Sequence, residues 1–195
     1  MKTIAWDVDD TLNELTRIWL ERWWTVKQGH PELEYDRLTE NPPNRILGVE
    51  LSVYRESLDE FRMSADFRFV SPRQKVMDWF LENGNKAHHL ALTATPLSVA
   101  PISAAWVMRH FGRWIRSYNL LPSPRPDLPV PEYDKDKADF LNRIGHVDIL
   151  VEDNPINAAR AEKSGYAVIG IPQPWNSYKD DLEDALERLT SLIEG

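Results

Sequence analysis

Three carboxylates follow the first apolar residues of the chain, and their spacing is suited to chemistry. Positions 4–12 read Ile-Ala-Trp-Asp-Val-Asp-Asp-Thr-Leu, which places acids at Asp7, Asp9 and Asp10. A buried strand that ends in acids is costly unless a cation compensates for their charge. Because side chains alternate along a strand, Asp7 and Asp9 should project on the same side where the strand ends. A hard divalent cation such as Mg2+ would relieve their repulsion, and one acid could act as nucleophile and the other as general acid/base.

Composition limits the classes of protein to which the chain can belong. It has 195 residues, no Cys and a formal net charge of -8. That length suits one domain with an insertion, and the lack of Cys excludes disulfides, thiolate metal sites and thiol nucleophiles. The negative charge argues against a nucleic-acid polymer as partner, and no apolar run approaches the roughly 18 residues that a membrane span needs. With no N-terminal signal pattern, we expect a cytoplasmic protein of undetermined oligomeric state.

Apolar runs and helical periodicities predict the elements that must position these acids. Four short buried strands are predicted at residues 1–6, 88–93, 148–151 and 167–171. Helices are predicted at 14–28, 50–62, 71–83, 101–115, 136–144, 156–164 and 179–194. The alternation of strands and helices from residue 71 onward favours an α/β, Rossmann-like parallel sheet covered by helices on both faces. Residues 14–70 lack clear strands, so we expect a small helical cap inserted after the first strand, with 1–13 and 71–195 forming the core.

Polar residues also end the later predicted strands. Thr93 ends the second strand, and Glu152 and Asp153 follow the third. In parallel sheets the site lies at the carboxyl ends of the strands, so these residues should meet Asp7 and Asp9 at one edge.

Four motifs, taken in order, resemble those of the haloacid dehalogenase-like hydrolase superfamily. They read Asp-Val-Asp-Asp-Thr at 7–11, Leu-Ala-Leu-Thr at 90–93, Asp-Lys-Ala-Asp-Phe-Leu at 136–141 and Ile-Leu-Val-Glu-Asp-Asn-Pro at 149–155. The resemblance spans residues 4 to about 172, apart from the insertion. The Asp-Asp-Thr-Leu and Asp-Asn-Pro segments look most like the 5'-nucleotidase branch, of the deoxyribonucleotidase type, which also has a helical cap after the first motif.

The resemblance implies a role for each motif residue. Asp7 would attack phosphorus and form an aspartyl-phosphate, while Asp9 would protonate the leaving oxygen and later activate water. Thr93 would hydrogen-bond a phosphoryl oxygen, and Lys137 would neutralise charge on Asp7 and on the phosphoryl group. The implied Mg2+ ligands are Asp7, the main-chain carbonyl of Asp9, and Asp153 or Glu152.

The implied function is Mg2+-dependent hydrolysis of a phosphate monoester on a small molecule. A nucleoside monophosphate is the first candidate substrate and a sugar phosphate the second. Asp9 separates the chain from the dehalogenases of the superfamily, which lack this acid, and from its ion-pumping ATPases, which have Thr there. A sugar phosphomutase and a non-catalytic protein that keeps the fold both stay open. Lys135 competes with Lys137 for the lysine role, and we favour Lys137 because it directly precedes the apolar part of its helix.

Two other protein classes with similar residues do not fit. An EF-hand loop would need Gly at Leu12 and Glu at Ile18. A response-regulator receiver has its acidic pair first and its Lys last, whereas here the last acids follow Lys137. Packing or solvent exposure is favoured over binding for the remaining candidates, which are His88, His89, Trp23, Trp24 and Arg45.

Overall fold

A parallel five-stranded sheet forms the centre of the protein. The computed structural model describes residues 1–29, 32–126 and 129–195. The strands are β1 (Thr3–Trp6), β2 (His88–Thr93), β3 (Ile115–Leu120), β4 (Ile149–Glu152) and β5 (Ala167–Gly170). Their order is β3-β2-β1-β4-β5, and every pairing is parallel. All five strands therefore end at the same edge, and β1 lies in the middle.

Helices connect the strands. Within the described residues the α-helices are α1 (Leu15–Trp19), α2 (Thr25–Gln28), α3 (Leu51–Met63), α4 (Gln74–Asn83), α5 (Ala100–Phe111), α6 (Lys137–Ile144), α7 (Pro155–Lys163) and α8 (Leu182–Glu194). A π-helical turn at Leu20–Trp24 joins α1 to α2, and short 3-10 turns occupy Tyr35–Arg37, Asp66–Phe69 and Gly84–Lys86. None of the helices in the described ranges has the length and apolarity required to cross a membrane.

The helices cover both faces of the sheet, as the sequence predicts. Ile4 and Trp6 belong to the larger apolar core, together with Phe80 of α4. Ala5 lies between them in sequence and belongs to the second core, together with Phe140 of α6. This alternation follows from the two-residue period of a strand. Because both faces of β1 are buried, Ile4, Ala5 and Trp6 are all apolar.

The segment between β1 and α4 is helical and returns to the point where it left the core. Asn13 and Pro72 form an isolated antiparallel bridge. The Arg73 main-chain N–H donates to the Leu12 carbonyl at 2.9 Å, and Arg73 Nε donates to the Asn13 carbonyl at 3.2 Å. Phe61 of α3, within this segment, is fully buried in the larger core. The segment thus packs on the core between two neighbouring anchor points.

The structure corrects the sequence prediction at β3, which the sequence pattern had assigned partly to a helix. The predicted helix 101–115 ends at Phe111, and Ile115 begins a strand. β3 lies at the edge of the sheet, and only Ile115 is buried along it. An edge strand of this kind has neither a continuous apolar run nor a clear alternation, so its sequence gives little signal.

Other boundaries shift by up to three residues. The predicted strand 148–151 is Ile149–Glu152, so Glu152 is the last residue of β4. The predicted helix 71–83 begins at Gln74. Gly29 ends the first helical segment in a left-handed conformation, with φ of 71°, which Gly adopts without steric cost. The sequence also predicts that Gly29-His30-Pro31 ends this helix and that residues 120–133, which hold five prolines, form a loop. His30 and Pro31, and residues 127 and 128 of that loop, lie outside the described residues.

Candidate active site

The carboxyl edge of the sheet and the helical segment above it enclose a cavity of about 170 Å³. The six residues singled out from the sequence all line it: Asp7, Asp9, Thr93, Lys137, Glu152 and Asp153. Residues of segment 14–70 also line it, among them Thr16, Asn41, Tyr54, Leu58 and Arg62. The strand order brings together residues that are far apart in sequence, as expected for a parallel sheet.

Lys137 is buried among carboxylates. Its Nζ donates to Asp7 Oδ1 at 2.5 Å and to Glu152 Oε2 at 2.7 Å, and its side chain is 2% exposed. Burial alone would lower its pKa, but Asp7 and Glu152 raise that pKa above the usual lysine range, so the ammonium stays charged. Asp136 caps α6 by accepting the Asp139 N–H, which places Lys137 at the first helical position. Lys135, in contrast, is exposed.

More negative charge is buried here than Lys137 balances. Asp7, Glu152 and Asp153 are each less than a tenth exposed, and one ligand oxygen of each lies within 4.8 Å of the others. Burial raises the pKa of Asp7 to about 7, and Glu152 adds to this effect while Lys137 opposes it. Burial also raises the pKa of Asp153 well above its usual value, reinforced by Glu152 and Asp7. Three carboxylates this close, with all-oxygen donors, fit a hard divalent cation.

The Asp9 carboxylate accepts hydrogen bonds from both the core and the helical segment. Its Oδ1 accepts a hydrogen bond from Asn13 Nδ2 at 3.3 Å, and its Oδ2 accepts one from Arg62 Nη2 at 2.7 Å. The Arg62 side chain is 8% exposed, and its Nη1 also donates to Asp59 Oδ1 at 3.0 Å. Its Nε is buried and has no hydrogen-bond partner among the described residues. Arg62 is absent from the four motifs, and its position at the end of an amphipathic helix gave no sign of this contact.

Asp10 supports the turn that carries Asp9. It adopts a φ of 61°, which is uncommon for a residue other than Gly. Its side chain accepts the Thr16 N–H at 2.8 Å and the Thr16 hydroxyl at 2.5 Å, and its own N–H donates to Asn13 Oδ1 at 3.1 Å. Burial raises the pKa of Asp10 to about 6, and the bonds from Thr16 oppose that rise. The third acid of the motif thus has an observed structural role.

The segment after β5 supports the acids from the outside. Trp175 Nε1 donates to Asp153 Oδ2 at 3.0 Å, and Asn176 Nδ2 donates to the Asp153 carbonyl at 2.8 Å. Gln173 Nε2 donates to the Asp10 carbonyl at 2.5 Å, while its Oε1 accepts the Tyr35 hydroxyl at 2.6 Å. These residues lie beyond the last motif, and their role depends on contacts that no local pattern encodes.

Three of the residues for which packing or solvent exposure was expected are His89, Trp24 and Arg45, and they are either packed or exposed. His89 is buried, accepts Trp6 Nε1 at 3.0 Å and lies 2.9 Å from the Gly84 carbonyl through its other ring nitrogen. Trp24 is buried in the larger core. The Arg45 side chain is 83% exposed and pairs with Glu40. None of His89, Trp24 and Arg45 lines the cavity described above.

The sequence matches no protein-family model, and no curated protein matches it either. The structure does match solved structures over nearly the whole chain. A haloacid dehalogenase-like family hydrolase from Streptococcus pneumoniae has a TM-score of 0.62 at 13% identity, with 98% of each chain covered. A predicted phosphatase from Clostridium acetobutylicum has a TM-score of 0.61 at 12% identity, covering 100% of this chain and 99% of the other.

A third similar structure, from Thermotoga maritima, is provisionally assigned as a β-phosphoglucomutase. Its TM-score is 0.57 at 16% identity, covering 98% of this chain and 100% of that one. At such identities the likeness concerns the fold. The protein therefore has the α/β, Rossmann-like fold of the haloacid dehalogenase-like hydrolases, as the four motifs predict.

Proposed function

We propose that this protein is a Mg2+-dependent phosphatase that hydrolyses a phosphate monoester of a small molecule through an aspartyl-phosphate on Asp7. The observation that carries the proposal is the pairing of Asp7 with Lys137 at 2.5 Å beside a second acid, Asp9, on the same cavity wall. A carboxylate nucleophile needs a neighbouring acid/base and a cation to approach an anionic phosphate.

Asp7 attacks phosphorus in this scheme. Lys137 Nζ donates to Oδ1 of Asp7, so Oδ2 is the attacking oxygen, and the second lone pair of Oδ1 is the one with which Asp7 would hold the metal ion. A bond forms between Oδ2 and phosphorus while the bond from phosphorus to the leaving oxygen breaks. The ammonium of Lys137 offsets negative charge on both partners, and Thr93, at the end of β2, donates its hydroxyl to a phosphoryl oxygen.

Asp9 is the proposed general acid and general base. As a general acid it protonates the leaving oxygen, and as a general base it then takes a proton from the water that attacks the aspartyl-phosphate. This second attack releases inorganic phosphate and restores the Asp7 carboxylate. The contacts from Asn13 and Arg62 hold the two Asp9 oxygens in place.

The acids described above would hold the Mg2+. Asp7, Asp153 and the main-chain carbonyl of Asp9 are the proposed ligands. Both Glu152 oxygens accept hydrogen bonds, from Lys137 Nζ and from the Asn154 N–H, whereas the hydrogen bond that the Asp153 carboxylate accepts from Trp175 is at Oδ2 and leaves Oδ1 for the ion, so we favour Asp153 as the direct ligand. When bound, the ion supplies positive charge that offsets the charge of the phosphoryl group.

Segment 14–70 is proposed to be the cap that excludes water and selects the substrate. Tyr54 and Leu58 of α3 place a partly apolar wall above the acids. At about 170 Å³ the cavity is smaller than the roughly 300–1,000 Å³ of sites for drug-sized ligands. A compact phosphate ester fits the cavity as it stands, whereas a nucleoside monophosphate, the candidate from the 5'-nucleotidase resemblance, requires the cap to open. A cytoplasmic location stays a prediction from the sequence.

The test is phosphate release from nucleoside monophosphates, sugar phosphates and two- to three-carbon phosphate esters. We expect turnover that needs Mg2+, stops with EDTA and is lost in Asp7→Asn. Asp78→Asn, which removes an exposed acid on α4, is the matched control and should retain full activity. An isomerised sugar phosphate without phosphate release would indicate a phosphomutase. Turnover that persists in Asp7→Asn would refute the proposed nucleophile, and no turnover on any ester would favour a non-catalytic protein.

A further inference from the structure

Asp59, on α3, is shared by two arginines. Its Oδ1 accepts Arg62 Nη1 at 3.0 Å and Arg125 Nη2 at 3.1 Å, while its Oδ2 accepts Arg125 Nε at 2.7 Å. Because Arg62 also donates to Asp9, four side chains of alternating charge run from the cavity to the segment after β3. They are Asp9, Arg62, Asp59 and Arg125, and none of these side chains is more than 16% exposed.

The two ends of this row of four side chains differ in their access to the cavity. Asp9 and Arg62 line it, whereas Asp59 and Arg125 do not. Arg125 is fixed by two further bonds from its Nη1, to Ser123 Oγ at 3.0 Å and to the Pro124 carbonyl at 3.1 Å. Arg125 therefore holds Asp59 through a two-point contact, which is the strongest geometry available to an arginine and a carboxylate.

The charges of these four side chains explain why Arg125 affects the position of Asp9. Asp59 is neutralised mainly by Arg125, so the guanidinium of Arg62 can be divided between Asp59 and Asp9. Of the two arginines that donate to Asp59 in the contacts described above, only Arg62 would remain without Arg125. The Asp59 carboxylate is poorly solvated. Such a carboxylate attracts its remaining partner strongly, because an unpaired buried charge is costly. Arg62 would then move towards Asp59, and Asp9 would lose one of its two anchors.

We propose that Arg125 is a positioning residue that fixes Asp9 through Asp59 and Arg62. This inference rests on the proposed function, in which Asp9 transfers the proton. Displacing a reacting group by about 1 Å can reduce the rate of an enzyme by up to 100-fold, even when the altered residue is far from the chemistry.

The first test compares Arg125→Gln with a matched arginine variant. We expect Arg125→Gln to lower kcat by about tenfold with a smaller change in KM, since Arg125 does not line the cavity. Arg125→Lys keeps the charge but not the two-point contact, so its kcat should lie between those of the wild type and Arg125→Gln. The control is Arg143→Gln, which removes a similar two-point contact, to Asp134 at 2.8 Å for both bonds, away from the site. A loss in Arg125→Gln no larger than in this control would overturn the inference.

The second test asks whether the effect passes through Asp59. In an Asp59→Asn background residue 59 has no carboxylate that competes with Asp9 for Arg62, so Arg125→Gln should change kcat by less than about twofold. An equal loss of kcat in both backgrounds would show that Arg125 acts by another route.

A third measurement does not depend on activity, and so separates this inference from the proposed function. Asp9→Asn and Arg125→Gln are combined, and the urea midpoint of unfolding is measured for each single variant and for the pair, without Mg2+. The two residues do not share a hydrogen bond, so additive shifts are expected unless the intervening pair couples them. We expect non-additive shifts for this pair and additive shifts when Arg143→Gln replaces Arg125→Gln. Additive shifts for both pairs would overturn the inference, whereas an inactive wild type with non-additive shifts would contradict only the proposed function.

Discussion

Trp175 offers a test of the proposed metal site that leaves every acid in place. Its Nε1 donates to Asp153 Oδ2 at 3.0 Å, and Trp175→Phe removes this donor while keeping an aromatic ring. A hydrogen bond to a charged group contributes about 1.5–3 kcal/mol. Loss of a partner that orients a metal ligand typically lowers metal affinity by about 10–100-fold, which is about 1.4–2.8 kcal/mol. The two estimates agree, so we expect Mg2+ affinity to fall by that factor.

The measurement is urea unfolding with and without excess Mg2+. Binding to the folded state stabilises it in proportion to the logarithm of ligand concentration over Kd. Trp175→Phe should therefore gain about 1.4–2.8 kcal/mol less from Mg2+ than the wild type when both are saturated. For an active enzyme, the Mg2+ concentration at half-maximal rate should rise by the same factor.

Trp79→Phe is the matched control for this change. Trp79 is buried to a similar extent, and its Nε1 donates to Thr190 Oγ1 at 2.8 Å, on the side of the molecule formed by α4 and α8. Both substitutions lose packing and one hydrogen bond, but only Trp175 contacts a proposed metal ligand. If the two variants gained the same stabilisation from Mg2+, Asp153 would not be a ligand that Trp175 orients.

Three further predictions follow from the same contacts. Asp9→Asn should lower kcat by about 10²–10⁴-fold, the range for loss of a general acid/base, when measured by phosphate release. Lys137→Met should lower the free energy of unfolding by about 3–5 kcal/mol in urea without Mg2+, because it leaves two buried carboxylates without their cation, while the exposed Lys135→Met should change it by less than about 0.5 kcal/mol. Burial lowers the pKa of His89 to about 4, so its unfolded state binds a proton that its folded state does not. As pH drops from 6.5 to 4, the wild type should therefore lose about 3 kcal/mol of its stability relative to His89→Gln, while the raised pKa values of Asp7, Asp10 and Asp153 act in the opposite direction in both proteins. His88→Gln, whose ring is exposed, should keep the wild-type pH profile, and an identical profile in His89→Gln would contradict the prediction.

The core of the fold was predictable from the sequence because its central strands are apolar runs that end in polar residues. β1 and β2 carry that signal, and the motifs at their carboxyl ends predict that Asp7 and Thr93 lie at the same sheet edge. β3 was not predictable, since it lies at the sheet edge and only Ile115 is buried along it. Its existence depends on pairing with β2, which is a property of the folded molecule.

The supporting residues of the candidate site could not be found in the same way. Arg62 reaches Asp9 across 53 positions of sequence, and Trp175 reaches Asp153 from a segment that follows the last strand. An arginine at the end of an amphipathic helix is usually a solvated residue, and a tryptophan in a polar loop has no fixed partner. Their roles come from how segment 14–70 and the chain after β5 pack against the sheet edge, and no spacing rule encodes that packing.

The central position of β1 places the proposed nucleophile, Asp7, directly after the most protected strand of the sheet. Ile4, Ala5 and Trp6 pair with β2 on one side and β4 on the other, and none of them is exposed. Amides in such a strand exchange with deuterium only when the whole molecule unfolds, whereas peripheral helices open in smaller units at lower cost. The slowest-exchanging amides should therefore immediately precede Asp7 in the chain. Any opening of the proposed cap over the cavity would therefore leave the backbone that carries Asp7 with its hydrogen bonds intact.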